Sequence, residues 1–171
     1  MNSFSESQKF RKWWVWAVAL GSVILPLAEV GFELAKSKEA ISVAVIPGVA
    51  LPLLVLALFL LLRLRTVIDA NGVSYQFLPF HLKLQVKSWE EIEYAYVRKY
   101  SPLGEFGGWG IRYSFGNGKA YNVSGNMGLQ LVLKNGKKIL IGTQRPDEIT
   151  SVLRSLKRET PPAGTQEQYL P

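Results

Sequence analysis

The chain divides at residue 63 into a part that is almost continuously apolar and a part in which apolar and polar residues alternate. Two apolar runs lie in the first part, over residues 13–32 and 40–62, and the second has 23 residues without a charge. About 20 apolar residues suffice to cross the hydrocarbon core of a bilayer. The first run is interrupted only by Glu29, close to its end. The pattern therefore predicts a two-helix transmembrane hairpin.

Basic residues around the two runs predict how this hairpin is oriented. Because Lys and Arg favour the cytoplasmic side of a membrane, five outer residues against two inner ones predict that both termini are cytoplasmic. A cleaved signal peptide is the alternative for the first run, but Pro26 fits poorly before a cleavage site near Glu29. The outer residues are Lys9, Arg11, Lys12, Arg63 and Arg65, and the inner ones are Lys36 and Lys38.

From residue 63 onward the apolar residues recur with a period of two, which is typical of antiparallel strands with one buried face. The clearest alternating runs are 73–77, 82–86, 111–115 and 129–133. Asn-Gly pairs at 71–72, 117–118 and 135–136 fall between such runs and indicate tight hairpins. We predict about seven strands, over 64–69, 73–78, 82–88, 93–100, 109–116, 119–124 or 128–134, and 137–143.

One amphipathic helix is predicted after the strands. Pro146 suits its first turn. An apolar stripe with i, i+3, i+4, i+7 spacing follows, made of Ile149, Val152, Leu153 and Leu156. The predicted organisation is an N-terminal cytoplasmic segment (1–12), the hairpin (13–62), a β domain (63–158) and a disordered tail (159–171).

Four stretches resemble the bacterial pleckstrin-homology-like (PH-like) membrane proteins that begin with a two-helix hairpin. They are Asp-Ala-Asn-Gly-Val at 69–73, Trp-Glu-Glu-Ile at 89–92, Gly-Trp-Gly-Ile-Arg at 108–112 and Ile-Gly-Thr-Gln-Arg-Pro-Asp-Glu at 141–148. The resemblance covers roughly residues 12–158. It implies an all-β PH-like barrel of about seven antiparallel strands, closed by a C-terminal α-helix. It also implies a membrane-tethered binding or assembly module, and it carries no catalytic residues.

Charge and composition narrow the classes of function. The net charge is +7, and residues 63–171 hold 15 Lys/Arg against 9 Asp/Glu. A basic domain beside a membrane is attracted to anionic lipid headgroups, and a bilayer tether argues against nucleic acid as the partner. The chain has no cysteine, which excludes disulfides, thiolate metal sites and cysteine nucleophiles. His81 has no Ser, Cys or second His at a recognisable spacing, so we predict no catalytic, cofactor or metal site.

The candidate contact residues are basic positions of the β domain and two aromatic residues of the glycine-rich segment 104–110. For the basic positions the alternative is an ordinary solvated strand face, on which Lys also protects edges. For the segment the alternative is a strand connection with a bulge, because its glycines lead into a strand rather than into the helix of a phosphate-binding loop. The candidates are Lys83, Lys87, Arg98, Lys99, Arg112, Arg145, Phe106 and Trp109.

The sequence thus predicts a non-enzymatic, multi-pass inner-membrane protein whose PH-like domain is cytoplasmic. Its expected function is a scaffold for protein partners or for copies of itself, and its expected partners are the lipid bilayer and a second copy or another membrane protein. Two alternatives remain open. One is sensing of anionic phospholipids through the basic face, and the other is a non-catalytic subunit of a membrane enzyme or transporter.

Overall fold

The structure is a computed structural model that describes residues 3–10, 13–36 and 45–159. The chain forms two compact units, a β-rich unit that combines the N-terminal strand with the chain from Arg63 onward, and a helical unit, Phe10–Leu62. The described residues contain nine strands and four helices. The strands are β1 (Phe4–Lys9), β2 (Arg63–Ile68), β3 (Gly72–Leu78), β4 (Gln85–Ser88), β5 (Ile92–Lys99), β6 (Gly110–Ser114), β7 (Gly118–Asn122), β8 (Met127–Leu133) and β9 (Lys138–Thr143). The helices are α1 (Trp13–Lys36), α2 (Val45–Leu61), α3 (Pro102–Phe106) and α4 (Pro146–Ser155).

The helical unit is a hairpin of α1 and α2, which pack against each other. Pro26 lies inside α1 and Pro52 inside α2. The rings of Phe10 and Phe59 meet edge to face with their centroids 6.0 Å apart. Apolar side chains thus supply the packing within the hairpin.

Among the described residues, no helix is both long and apolar enough to span a membrane. The described part of α2 has 17 residues, or about 26 Å at ~1.5 Å per residue, which is short of a ~30 Å hydrocarbon core. The last turns of α1 include Glu29, Glu33 and Lys36. The prediction of a transmembrane hairpin is therefore contradicted, and so is the multi-pass inner-membrane location that depended on it. Residues 37–44 of the predicted connection and residues 160–171 of the predicted tail lie outside the described residues.

Sheet A contains four antiparallel strands in the order β1-β2-β3-β4. Its first strand comes from the N-terminal segment, in which no strand was predicted. In β1 the side chains of Phe4, Glu6 and Gln8 are buried and the alternate ones are exposed. Two of these three buried residues are polar, so the hydrophobic pattern gave no sign of a strand. Lys9 pairs with Arg63, so the helical unit is inserted in the chain between two paired strands.

Sheet B contains five strands in the order β5-β8-β9-β7-β6, and its β7–β9 pair is parallel. The sequence offered 119–124 or 128–134 as one strand, and the structure has a strand in each place, β7 and β8. The turn into β7 needs glycine at position 118. The φ angle of Gly118 is +76°, and a Cβ there would lie 2.2 Å from the carbonyl oxygen of Lys138.

The two sheets do not form one closed barrel, so the predicted PH-like barrel is contradicted. A barrel needs a continuous ladder of strand pairs around its circumference. Here the ladder ends at β4 in sheet A and at β5 in sheet B, and a turn at 89–91 separates these two strands. At the other ends, β1 occupies the outer edge of β2, and β6 is the last strand of sheet B. The architecture is therefore two separate sheets with helix α4.

The core of the β-rich unit is supplied by alternating residues of both sheets and by α4. Leu129 and Leu131 of β8 are fully buried, as are Ile149 and Leu153 of α4. Helix α4 contacts β5, β8 and β1, so its apolar stripe packs on the sheets. In β3 the alternating run predicted from the sequence is buried as well, with Val73, Tyr75 and Phe77 all at most 4% exposed.

Candidate interaction surfaces

The glycine-rich segment is folded onto sheet B by a short helix. Ser101 precedes α3, and its hydroxyl accepts a hydrogen bond from the amide of Gly104 (3.1 Å). Phe106, at the end of α3, meets Tyr100 edge to face with ring centroids 6.0 Å apart. Phe106 is 5% exposed. This side chain is therefore part of a small apolar cluster, completed by Ala120 and Leu140, and is not available at the surface.

The other aromatic candidate, Trp109, is half-buried beside the start of β6. Its indole N–H donates to the carbonyl oxygen of Gly125 (3.4 Å). The backbone carbonyl of Trp109 accepts a hydrogen bond from Nε of Arg112 (3.0 Å). The guanidinium of Arg112 is thus folded back onto the chain that precedes its own strand.

Arg98 is a buried structural residue. Its guanidinium donates two hydrogen bonds to the carboxylate of Glu105 (2.7 and 3.2 Å) and one to the side chain of Gln130 (3.0 Å). Burial alone would raise the pKa of Glu105, but the hydrogen bonds from Arg98 and from the Ser101 amide outweigh it and lower that pKa below its ordinary value. The pair joins α3 to sheet B.

The remaining basic candidates are spread over several elements. Lys87 on β4 pairs with Glu91 (2.8 Å). Arg145, just before α4, pairs with Glu148 and lies over the ring of Phe4, 5.3 Å from its centroid. Lys83 and Lys99 are exposed. Lys83 precedes β4 in sheet A, whereas Lys99 ends β5 in sheet B, so these residues do not lie along one strand.

An aromatic cluster joins the two sheets. Tyr75 of β3 and Tyr121 of β7 have ring centroids 4.9 Å apart, and the imidazole of His81 lies 5.1 Å from Tyr121 and 6.2 Å from Tyr75. Burial raises the pKa of both tyrosines. Burial and then the charge of Lys119 lower the pKa of His81. The three rings are neutral around pH 7, which suits an interior contact between sheets.

A buried polar contact attaches β1 to the end of β9. The carboxylate of Glu6 accepts hydrogen bonds from the Thr143 hydroxyl (2.7 Å) and the Gln144 amide (3.0 Å). The side-chain amide of Gln8 donates to the carbonyl oxygen of Gly142 (2.7 Å). Sequence reasoning missed both residues of β1. Residues alternate with a period of two in Phe-Ser-Glu-Ser-Gln, but only the first of them is apolar, so the hydrophobic pattern did not mark the strand.

Strand β4 exposes apolar residues because its register differs from the predicted one. The strand begins at Gln85, so Leu82 and Leu84 belong to the preceding loop, where they are 85% and 45% exposed. Val86 lies opposite Ser74, while Lys87 lies opposite the buried Val73. Directly opposed residues share a face of a sheet, so Lys87, and not Val86, is on the side of the core. The predicted burial of 82, 84 and 86 is wrong.

Strand β6 is exposed for a different reason. Ile111 lies opposite Tyr121 and therefore shares the inner face of sheet B, as the alternation predicted. However, Tyr113, further along the same face, lies opposite Lys119 of β7, which is exposed as well, so this end of the two strands is not covered. Ile111, Tyr113 and Phe115 are 38%, 64% and 99% exposed, so the prediction that they are buried is wrong. We call these three residues the β6 apolar edge.

The helical unit exposes the largest apolar surface of the described residues. Twelve large apolar side chains of α1 and α2 are each at least 36% exposed, among them Ile24 (58%), Leu25 (68%) and Leu54 (68%). Glu29 is the one charged residue among the side chains that are described in this unit. Monomeric soluble proteins rarely expose a continuous apolar patch above ~300–600 Å² unless it is a contact surface.

Small residues form a line along α1 within this surface. Ala17, Gly21, Ile24, Ala28 and Gly31 follow one another in steps of four and three, the spacing of a single helix face. All are exposed or half-buried. A Cβ placed on Gly21 or Gly31 would meet no atom within 4 Å, so packing against α2 does not account for these glycines. We call this line the small-residue stripe.

Neither metal ligation nor sequence similarity adds a further site. The described residues contain no group of three or more His, Cys, Asp or Glu side chains placed to hold a metal ion. No protein-family model and no curated protein matches this chain. The function is therefore inferred from the surfaces described above.

Proposed function

We propose that this chain is a non-enzymatic assembly module, and that the small-residue stripe of α1 packs against the same stripe of a second copy. The observation that carries the proposal is the exposed apolar surface of the helical unit. A helix that is apolar on all sides is stable only when its outer faces are covered as well.

A second copy is the occupant that this surface fits best. The described side chains around the stripe offer apolar packing and no charged group other than Glu29, so the partner surface must be apolar too. The hairpin of another copy supplies such a surface with the same length. Small residues at heptad spacing let two helix backbones approach closely, which increases the van der Waals contact between them.

The β-rich unit supports the proposal as well, because several of its charged groups form ion pairs within the unit. Arg98, Lys87 and Arg145 are engaged with carboxylates of the same unit. Anionic phospholipid headgroups, the alternative partner, would find Lys83 and Lys99 exposed, but Lys83 lies in the loop before β4 of sheet A and Lys99 ends β5 of sheet B. This distribution favours a structural role for the β-rich unit within an assembly, and it argues against lipid sensing.

Cysteine cross-linking tests the proposal in the full chain, which has no native cysteine. Ile24 is the central residue of the stripe, so two stripes centred on each other bring Ile24 of both copies together in either relative direction. We expect Ile24→Cys to give a covalent dimer on non-reducing gels after mild oxidation in cells. The matched control is Ser22→Cys on the same helix, about 160° away around the axis at ~100° per residue, which should stay monomeric.

A bulk-adding variant gives a readout that does not need a disulfide. Gly21→Ile keeps the surface apolar but fills the space between the backbones. Overpacking of this kind costs about 1–3 kcal/mol, so we expect dimerisation to weaken roughly tenfold or more, measured by light scattering at several concentrations. Ala57→Ile, on the exposed surface of α2, is the control and should dimerise like the unaltered chain. A chain that is monomeric at all concentrations, or one whose hairpin is covered by detergent or lipid alone, would overturn the proposal.

A further inference from the structure

The β6 apolar edge indicates a second contact between copies, separate from the helical unit. We propose that β6 of one copy pairs antiparallel with β6 of another about a two-fold axis at Tyr113, which joins two B sheets into one ten-stranded sheet. This inference goes beyond the proposed function and does not depend on the stripe of α1.

The first argument is that β6 has an open side. It pairs with β7 along Gly110–Ser114 and is the last strand of sheet B. The outer side of such a strand carries backbone N–H and C=O groups that can pair with another strand. Adding a strand at such an edge is a recurrent way for proteins to bind.

The second argument is that the charged residue of β6, Arg112, does not lie on the face that carries its apolar residues. Ile111 and Tyr113 project from one face of the strand, and the ring of Phe115 meets that of Tyr113 edge to face, with centroids 5.8 Å apart. Arg112 projects from the other face and is held by the carbonyl oxygen of Trp109. Lys119 lies opposite Tyr113 on β7, one strand away from the open edge. With Arg112 held on the other face, the face with Ile111 and Tyr113 has no charge from β6 itself, which favours association.

The third argument is the register, because a two-fold contact requires a self-complementary segment. A pair centred on Tyr113 sets Tyr113 against Tyr113, sets Arg112 against the small Ser114, and brings Phe115 beside Ile111 of the other copy. A pair centred on Arg112 would oppose two guanidinium groups, which destabilises a sheet. A pair centred on Ile111 would leave Phe115 outside the contact, although it is 99% exposed.

The test uses single cysteines in the full chain, which has none of its own. Opposed residues of an antiparallel pair have their Cα atoms ~4.5–5.5 Å apart, within the ~4.4–6.8 Å that a disulfide spans. Tyr113→Cys should therefore form a reducible dimer as the main product after mild oxidation. In this register Ser114 is two residues out of line with Ser114 of the other copy, ~8 Å away. Ser114→Cys, which keeps Arg112, is the matched control and should remain monomeric.

A double variant checks the register independently. Ile111 and Phe115 oppose each other across the axis, so neither Ile111→Cys nor Phe115→Cys should cross-link alone, while the two together should; all three variants keep Arg112. Repeating Tyr113→Cys in the Gly21→Ile background separates this contact from the one at the stripe. The β6 dimer should persist there, whatever happens to association through the helical unit.

Several results would overturn the pairing. They are a monomeric Tyr113→Cys variant, equal cross-linking of Tyr113→Cys and Ser114→Cys, and an Ile111→Cys/Phe115→Cys variant that does not cross-link. A Tyr113→Cys product that contains a different protein instead of a second copy would show that β6 accepts a foreign strand, and it would also exclude self-pairing.

Discussion

Buried polar side chains in this protein connect segments that are far apart in the sequence. Glu6 and Gln8 of the first strand bond to residues 142–144, more than 130 positions later. Arg98 bonds to Gln130, 32 positions later, and its pair with the nearby Glu105 attaches α3 to sheet B. A buried charge is stable only when it is hydrogen-bonded, so each of these residues depends on a specific partner.

At this scale we predict that Glu6→Ala destabilises the β-rich unit. The change leaves the Thr143 hydroxyl and the Gln144 amide without the carboxylate that now accepts their hydrogen bonds. Losing a buried partner costs about 1–3 kcal/mol, and thermal unfolding of the full chain by near-ultraviolet circular dichroism should show it as a lower transition temperature. Ser7→Ala, at the exposed neighbouring position, should unfold like the unaltered chain. Equal transitions for the two variants would mean that Glu6 does not hold β1 in place.

At the scale of elements, the closing helix and the edge strands behave differently. Helix α4 begins at Pro146, and its Ile149 and Leu153 are buried on the sheets. The edge strands β4 and β6 leave apolar residues exposed. The difference arises because α4 contacts three strands, whereas the register of β4 turns Val86 away from the core and the end of β6 at Tyr113 is not covered.

We therefore predict a large effect for Leu153→Ala and a small one for Leu103→Ala. Leu153 is 0% exposed and Leu103 is 67% exposed. Removing a fully buried Leu side chain costs about 2–5 kcal/mol, because a cavity remains where the surroundings cannot collapse. Denaturant titration followed by tryptophan fluorescence should give this difference in the free energy of unfolding. A cost below about 1 kcal/mol at position 153 would show that α4 is not docked on the core.

At the scale of the whole molecule, the two proposed contacts have a joint consequence. Each is a two-fold contact between identical surfaces, and one chain carries both. Two different two-fold contacts on separate axes link more than two copies, as a closed dihedral assembly or an open linear one. A chain that makes the two contacts with different copies therefore does not stop at a dimer.

We predict that the double variant Ile24→Cys/Tyr113→Cys forms covalent species larger than a dimer. Each single variant should give a dimer and nothing larger, because one cysteine can form one disulfide. Non-reducing gels of oxidised cells should show a tetramer or a ladder for the double variant, and reduction should return every band to the monomer. A double variant that stops at the dimer would mean that both contacts join the same two copies, that they exclude each other, or that one of them does not form.

The sequence by itself determined where several strands and the last helix lie along the chain. The period of two located strands near 64–69, 73–78, 93–100 and 137–143, and Pro146 with its apolar stripe located α4. These signals are local, since they depend on which neighbouring residues share a face of a strand or helix. Whether the chain belongs with the bacterial PH-like proteins stays a prediction.

Tertiary structure determined the features that local sequence patterns could not show. Strand β1 has mostly polar buried residues, and they are recognisable only beside Gly142 and Thr143. The register of β4 against β3 turned Val86 outward, and the end of β6 and β7 at which Tyr113 lies opposite the exposed Lys119 is not covered. The pattern of a strand shows that it has an apolar face, but only its position in the sheet shows whether another layer covers that face. The separation into two sheets instead of one barrel arises in the same way, because it depends on which distant strands pair.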